Sequence, residues 1–177
     1  MNLIEIIQTN LGYPPIKKID PNTSEPINKP DNFESGMLAQ AALPVTIIGL
    51  MNYIDANELS ASELNGEIHD ELDEIFEAKT SSIVSGVAGY SGATEEQTRH
   101  ELNFMLKEAI RVVKDINNNS SVSLHPFTIV QKANAILYLP ASIHAGLLLG
   151  NAHLDDSTTK MEGPLSSALH NIEKRFM

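Results

Sequence analysis

The chain has 177 residues, of which 42% are hydrophobic and 20% are charged, so its length and composition are those of one folded globular domain. It contains no cysteine, which excludes disulfides, thiol nucleophiles and cysteine-bound zinc or iron–sulfur clusters. A net charge of −11 repels phosphate backbones and anionic lipid surfaces. We therefore expect neither a nucleic-acid partner nor binding to a membrane.

Residues 1–33 predict a short N-terminal helix followed by a proline-rich arm. Leu3, Ile4, Ile7 and Leu11 recur at helical spacing, and Gly12 ends the pattern. Five of the nine prolines then lie between residues 14 and 30, where fixed φ angles and missing N–H donors prevent regular structure. We expect residues 34–177 to form a single helical domain behind this arm.

Two nearly uncharged segments predict apolar helices that are kinked by proline. The first covers residues 33–54 and contains Pro44, and the second begins at Pro126, contains Pro140 and resumes until Leu149. The stretches 35–54 and 133–154 are long enough to cross a membrane. Both stretches contain proline and side-chain amides, and neither is flanked by the lysines or arginines that orient membrane spans. These features favour burial in a soluble core or at an interface between two copies.

The clearest predicted helix covers residues 95–116. A capping box, Thr94-Glu-Glu-Gln97, begins it, and three asparagines from Asn117 end it. Its apolar face supplies the expected core residues Leu102, Met105, Leu106, Ile110 and Val113. A last amphipathic helix follows Pro164, with the stripe Leu165, Ala168, Leu169, Ile172 and Phe176. The glycines of residues 83–92 predict a turn.

No long alternation of apolar and polar residues predicts a sheet. The expected fold class is therefore all-α, an irregular bundle of six to eight helices. The segment Ala42-Leu-Pro-Val-Thr-Ile-Ile-Gly-Leu50 is followed by Val87-Ala-Gly-Tyr-Ser-Gly-Ala-Thr-Glu-Glu96, which opens an amphipathic helix. These segments resemble the bacterial YidB-like family of unknown function, in which Ala-Leu-Pro helices alternate with glycine-containing turns. The resemblance covers residues 35–116 and implies an all-helical fold without an assigned catalytic residue.

Nine of the 23 acidic residues lie between Asp55 and Glu77, with no lysine or arginine among them. The segment Ser60-Ala-Ser-Glu63 has the sequence of a capping box. Together with the apolar stripe that follows it, this segment predicts an acidic helix over residues 60–78. Like charges at i, i+4 cost roughly 0.2 to 0.5 kcal/mol per pair. We expect a solvated acidic ridge. The alternatives are a protein partner with a basic surface, or a weakly bound divalent cation on Glu67, Asp70, Glu71 and Glu74.

The motifs that would indicate an enzyme are incomplete. Neither Glu-x-x-His nor His-Glu-x-x-His nor a P-loop occurs. The segment Gly89-Tyr-Ser-Gly-Ala93 is one residue short of a nucleophile elbow, so we interpret Ser91 as a turn residue. One group of side chains near the end of the second apolar helix could bind a divalent ion. It comprises His144, His153, Asp155 and Asp156.

The first interpretation is therefore a helical interaction or scaffolding domain without catalytic activity or a cofactor. The alternative is a small-molecule or divalent-metal-binding protein, with or without enzymatic activity, built on those two histidines and two aspartates. The N-terminal residues Met1–Glu5 lack the basic region of a secretory signal, so we expect a cytoplasmic location. The pattern leaves open whether the protein is a homo-oligomer.

Overall fold

The computed structural model describes residues 2–20, 33–64, 71–118, 121, 123–143 and 146. These residues form α1 (Leu3–Leu11), α2 (Phe33–Ala56), α3 (Glu71–Phe76), α4 (Thr80–Ser91), α5 (Glu95–Ile116) and α6 (His125–Ile136). Two 3-10 turns, Glu77–Lys79 and Ala141–Ile143, follow α3 and α6. Within these ranges no strand forms, and the β-type contacts are isolated bridge positions at Ile19 and between Ser60 and Ser123. The all-α class is confirmed, while the number of helices stays a prediction.

Helix α2 lies at the centre of the bundle and packs against α4, α5 and α6. Residues 39–51 are all buried, because this segment is apolar around its whole circumference apart from Gln40 and Thr46. Pro44 lies inside α2, which continues beyond it to Ala56. The segment Gly36–Ala56 is long and apolar enough to cross a membrane, yet 78% of its most apolar window is buried inside the protein. This burial matches that of a core helix.

Helix α3 approaches α2 closely at Gly49. A Cβ atom placed on Gly49 would lie 2.1 Å from Cε1 of Phe76, so the phenyl ring packs against the bare backbone of α2. Leu72 and Phe76 are buried in the core from the same short helix. The absence of a side chain at residue 49 is therefore what allows α3 to pack in this position.

Helices α1 and α5 have the predicted amphipathic form. Thr94 and Gln97 make both hydrogen bonds of the capping box, and α5 ends at Ile116. All five core residues expected on α5 are buried, with exposed fractions of 4% or less. Helix α1 buries Leu3, Ile4 and Ile7 and packs against α5 and α2, so it belongs to the same core.

The described part of the arm, residues 13–20, is fixed to the bundle by one buried side chain. Gln40 of α2 accepts a hydrogen bond from the Lys17 N–H at 2.7 Å and donates to the Lys17 carbonyl at 2.8 Å. It also donates to the carbonyl of Tyr138 at 2.8 Å. The Ile19 N–H donates to the carbonyl of Leu137 at 2.9 Å, so the arm lies between α2 and the end of α6.

The acidic segment is not one continuous helix from residue 60 to residue 78, so that prediction is wrong at its start. Residues 61–63 form a turn. The Glu63 carboxylate accepts hydrogen bonds from the Ser60 N–H at 2.9 Å and the Ser60 hydroxyl at 2.5 Å. Ser60 is also held in the bridge to Ser123, and this tertiary contact keeps its backbone outside a helix.

The prediction of a turn over residues 83–92 is also wrong. These residues continue α4 as far as Ser91, and the helix ends at Gly92, whose φ of 73° is left-handed. Ile83, Val84 and Val87 are buried, and this packing outweighs the low helix propensity of Gly86 and Gly89. Helix α6 ends at Ile136, and Pro140 lies between it and the turn Ala141–Ile143. The kinks at Pro44 and Pro140 stay predictions.

Candidate functional site

A charged cluster joins the C-terminal end of α2 to one face of α6. The Asp55 carboxylate accepts hydrogen bonds from Lys132 Nζ at 2.6 Å and from the Thr128 hydroxyl at 2.5 Å. The His125 Nδ1 atom lies 3.0 Å from Asp55 Oδ1. Residues 125, 128 and 132 lie at i, i+3 and i+7, so they share one face of α6. This face is thereby held against α2.

The electrostatics of the cluster favour an ionised Asp55. The side chains of Asp55 and Lys132 are 18% and 24% exposed. Burial raises the pKa of Asp55, but the hydrogen bonds from Lys132, Thr128 and His125 outweigh it and lower the pKa below the ordinary 3.8. This mostly buried carboxylate accepts hydrogen bonds from both charged and neutral donors. Removal of one partner of the ion pair would leave the charge of the other partner without compensation, so both are needed for the link between α2 and α6.

A cleft of about 460 Å³ opens beside this cluster. Its lining comprises Ile54, Asp55, Glu58, Leu59, Ser123 and His125. The Ser123 hydroxyl accepts a hydrogen bond from the backbone N–H of His125 at 3.3 Å. Among the described residues no hydroxyl is bonded to Nε2 of His125, so the Ser–His–Asp order of a nucleophilic serine is not assembled there. The cluster acts chemically as a link between helices.

A second polar pair joins α2 to α3. The Tyr53 hydroxyl donates a hydrogen bond to the Glu74 carboxylate beside a smaller cleft of about 210 Å³. This bond to Glu74, together with burial and the negative charge of Glu74, raises the pKa of Tyr53 from 10.0 to about 12. Glu74 is therefore engaged with a tyrosine instead of standing free on a solvated ridge.

The outer face of α6 is apolar and exposed. Ile129 and Val130 are each 52% exposed and Leu137 is 48% exposed. With Pro126 and Ala133, which are also exposed, they lie at i, i+3, i+4, i+7 and i+11 and form one stripe that runs along α6 to Leu137, its C-cap residue. We call these five residues the α6 stripe. Residues 116–154 contain no aspartate or glutamate, although the whole chain has a net charge of −11.

The two faces of α6 are related through the charged cluster. The inner face buries Thr128, Gln131 and Ala135, and Gln131 accepts a hydrogen bond from the Leu3 N–H at 2.9 Å. Because Asp55 and these contacts fix the inner face, the α6 stripe is held towards solvent. The structure thus presents an apolar helical surface on a rigid support, which suits the binding of another apolar helix.

Most of the metal ligands proposed from the sequence lie outside the described residues. These are Glu67, Asp70, His144, His153, Asp155 and Asp156. Glu71 begins α3, and only its backbone is described. In the part of the chain that the structure describes, no group of three or more His, Cys, Asp or Glu side chains could hold a metal ion. Both metal sites stay predictions, and Glu74 is the one proposed ligand whose contacts are known.

Comparisons with known proteins found no relative of this chain. No family model, curated protein or solved structure matches the chain. The resemblance to the YidB-like family stays a prediction, and so do the cytoplasmic location and the absence of an enzymatic activity. The function is therefore inferred from the residues of the chain itself.

Sequence reasoning missed both the charged cluster and the exposure of α6. The composition groups Asp55 with the acidic stretch, and the apolar pattern around α6 predicts burial in a core or at an interface between two copies. One signal was present, since Lys132 is the only lysine or arginine between Lys114 and Lys160. A single cation on an apolar helix indicates a specific anionic partner. The second signal is that apolar residues occur on both faces of α6, more than a single core contact requires.

Proposed function

We propose that this protein is a cytoplasmic helical interaction domain without catalytic activity, and that its α6 stripe binds the apolar face of a partner helix. The observation that carries the proposal is the exposure of Ile129, Val130 and Leu137 along one line of α6. A stripe at helical spacing suits a helix, since its residues recur at i, i+3, i+4 and i+7.

The charge distribution supports a particular chemistry for the partner. The stripe lies in a segment free of acidic residues, while the chain as a whole carries a net charge of −11. A partner helix with an apolar stripe and basic flanking residues is attracted by the long-range field and is not repelled at the contact. This agrees with the basic partner proposed from the acidic composition. Membership of the YidB-like family remains part of the proposal.

The test uses two matched variants of exposed apolar residues. Ile129→Glu with Val130→Glu places two charges on the α6 stripe, whereas Phe104→Glu changes an exposed residue of α5 that is 48% exposed. Each tagged protein is expressed in its native cells, and co-purifying proteins are quantified by mass spectrometry. Circular dichroism confirms that all variants keep their helical content.

The proposal requires a protein that is retained by the wild type and by Phe104→Glu but lost by the α6 variant. That protein is then purified, and its binding is measured by calorimetry with the same three chains. We expect its affinity to fall at least about tenfold on the double substitution, or about 1.4 kcal/mol. An equal set of partners, or equal affinities, for all three chains would refute a binding role for the α6 stripe.

A further inference from the structure

We propose that residues 164–176 of the same chain bind the α6 stripe intramolecularly, so that an outside partner has to displace them. The inference rests on the proposed function, because it names the regulation of the same surface. Residues 164–176 lie outside the described part of the chain, and the argument uses their sequence together with the geometry of α6.

The two apolar stripes have the same spacing. The α6 stripe comprises Pro126, Ile129, Val130, Ala133 and Leu137, and the C-terminal stripe comprises Leu165, Ala168, Leu169, Ile172 and Phe176. Both follow i, i+3, i+4, i+7 and i+11, so each is about 17 Å long in a helix. Each stripe contains one alanine near its middle, which lets larger neighbours of the other helix pack closely. The two surfaces therefore match in length and in periodicity.

The connecting chain is long enough for this contact. Seventeen residues, 147–163, separate Gly146 from Pro164. Fully extended, they span about 55 to 60 Å, roughly three times the length of the stripe. Either direction of the bound segment along α6 is within reach. A tether of this kind gives an effective concentration on the order of millimolar, so weak binding suffices to occupy the surface.

The area and charge of the stripe favour the chain's own segment over a second copy. About 17 Å of helix, roughly 10 Å wide, offers on the order of 200 Å² of surface, a small area that a tethered segment can occupy because its effective concentration is high. Two copies of net charge −11 also repel each other. Residues 164–176 carry Glu173, Lys174 and Arg175, and so bring a net positive charge to an acidic protein.

Introduced cysteines test the contact in the full chain, which has no cysteine of its own. Val130→Cys and Leu169→Cys place one thiol near the middle of each stripe. The two positions face each other in a parallel arrangement and are offset by three residues, about 4.5 Å along the helix axis, in an antiparallel one. The control pair is Phe104→Cys with Leu169→Cys, because Phe104 is exposed on α5. Mild oxidation at micromolar concentration is followed by non-reducing electrophoresis and intact mass.

We expect the 130/169 pair to give a monomer with one internal disulfide, at least about tenfold faster than the 104/169 pair. Docking on the α6 stripe holds the first two thiols close together, whereas the control thiols are brought together only by the same flexible tether. A disulfide-linked dimer would overturn the inference in favour of a second copy. Equal rates for the two pairs, or free thiols in both, would also overturn it. The proposed function is separate, since it stands or falls with the partner lost on substitution of Ile129 and Val130.

A second measurement shows whether the segment competes with other helices. A labelled synthetic peptide of residues 162–177 is added to the wild type, to Leu169→Glu, and to Leu169→Glu combined with Ile129→Glu and Val130→Glu. We expect the peptide to bind Leu169→Glu at least about tenfold more tightly than the wild type, since the surface is then vacant. The triple variant should not bind. Equal affinity for all three chains would refute intramolecular occupancy.

Discussion

The link between Asp55 and α6 predicts a large and pH-dependent loss of stability when the carboxylate is removed. Asp55→Ala deletes the hydrogen bonds from Lys132 and Thr128 and the contact with His125. Breaking a buried ion pair costs about 3 to 5 kcal/mol, and hydrogen bonds to charged groups are worth about 1.5 to 3 kcal/mol each. Lys132 is 24% exposed and recovers part of its hydration, so we expect a loss of about 2 to 3 kcal/mol.

The assay is urea unfolding followed by circular dichroism, with stabilities obtained by linear extrapolation. The matched control is Asp115→Asn, which removes an ion pair with Arg111 whose side chains are 60% and 55% exposed. Such exposed pairs contribute little to stability, because both charges stay hydrated and screened. Asp55→Asn keeps the size of the side chain and removes only its charge. We expect it to fall between Asp55→Ala and the control.

The pH dependence follows from the sign of the pKa shift. The folded-state pKa of Asp55 is lowered from 3.8, so its stabilising contribution is fully present above about pH 5 and is lost as the pH falls through the folded pKa. The stability difference between the wild type and Asp55→Asn should therefore shrink below about pH 4. A loss for Asp55→Ala no larger than that of Asp115→Asn would refute the reasoning. So would a difference between the wild type and Asp55→Asn that does not change with pH.

Three further predictions concern other contacts of α2. Gly49→Ala places Cβ 2.1 Å from Phe76 and should destabilise the fold by about 1 to 3 kcal/mol in urea unfolding, whereas Gly89→Ala, with nothing within 4 Å, should stabilise it by about 0.5 to 1 kcal/mol. Tyr53→Phe should remove the absorbance change that marks ionisation of a tyrosine near pH 12. Glu74→Gln should move this ionisation towards pH 10.0, because the hydrogen bond that holds the proton on Tyr53 is weakened. The stabilising contribution of Tyr53 is present below pH 10.0 and lost as the pH rises towards 12, so the base-induced unfolding of Tyr53→Phe should lack this component. Gln40→Ala should lower the free energy of unfolding by about 2 to 3 kcal/mol and speed hydrogen exchange at the amides of Lys17 and Ile19. Unchanged exchange at these amides would contradict the role of Gln40 in holding the arm.

The sequence by itself determined the helices whose ends and faces are encoded locally. Helix α5 is the clearest example, since its capping box lies within four residues and its core face follows from the spacing of Leu102, Leu106 and Val113. Helix α1 follows from the same periodicity and α2 follows from its long, nearly uncharged apolar run, and the all-α class follows from these helices. These features depend on interactions between residues three or four positions apart, which a single sequence displays directly.

Only the tertiary structure decided which helix faces meet each other and which remain exposed. Lys132 and Asp55 are 77 positions apart, and no local pattern connects them. The helical state of residues 83–91 depends on burial of Ile83 and Val87, and the turn at residues 61–63 depends on the bridge from Ser60 to Ser123. Exposure of the α6 stripe likewise results from the charged cluster, which holds the other side of α6 against α2. Burial is a property of a residue's neighbours in space, so the same apolar pattern predicts a core helix or a binding surface until the packing is known.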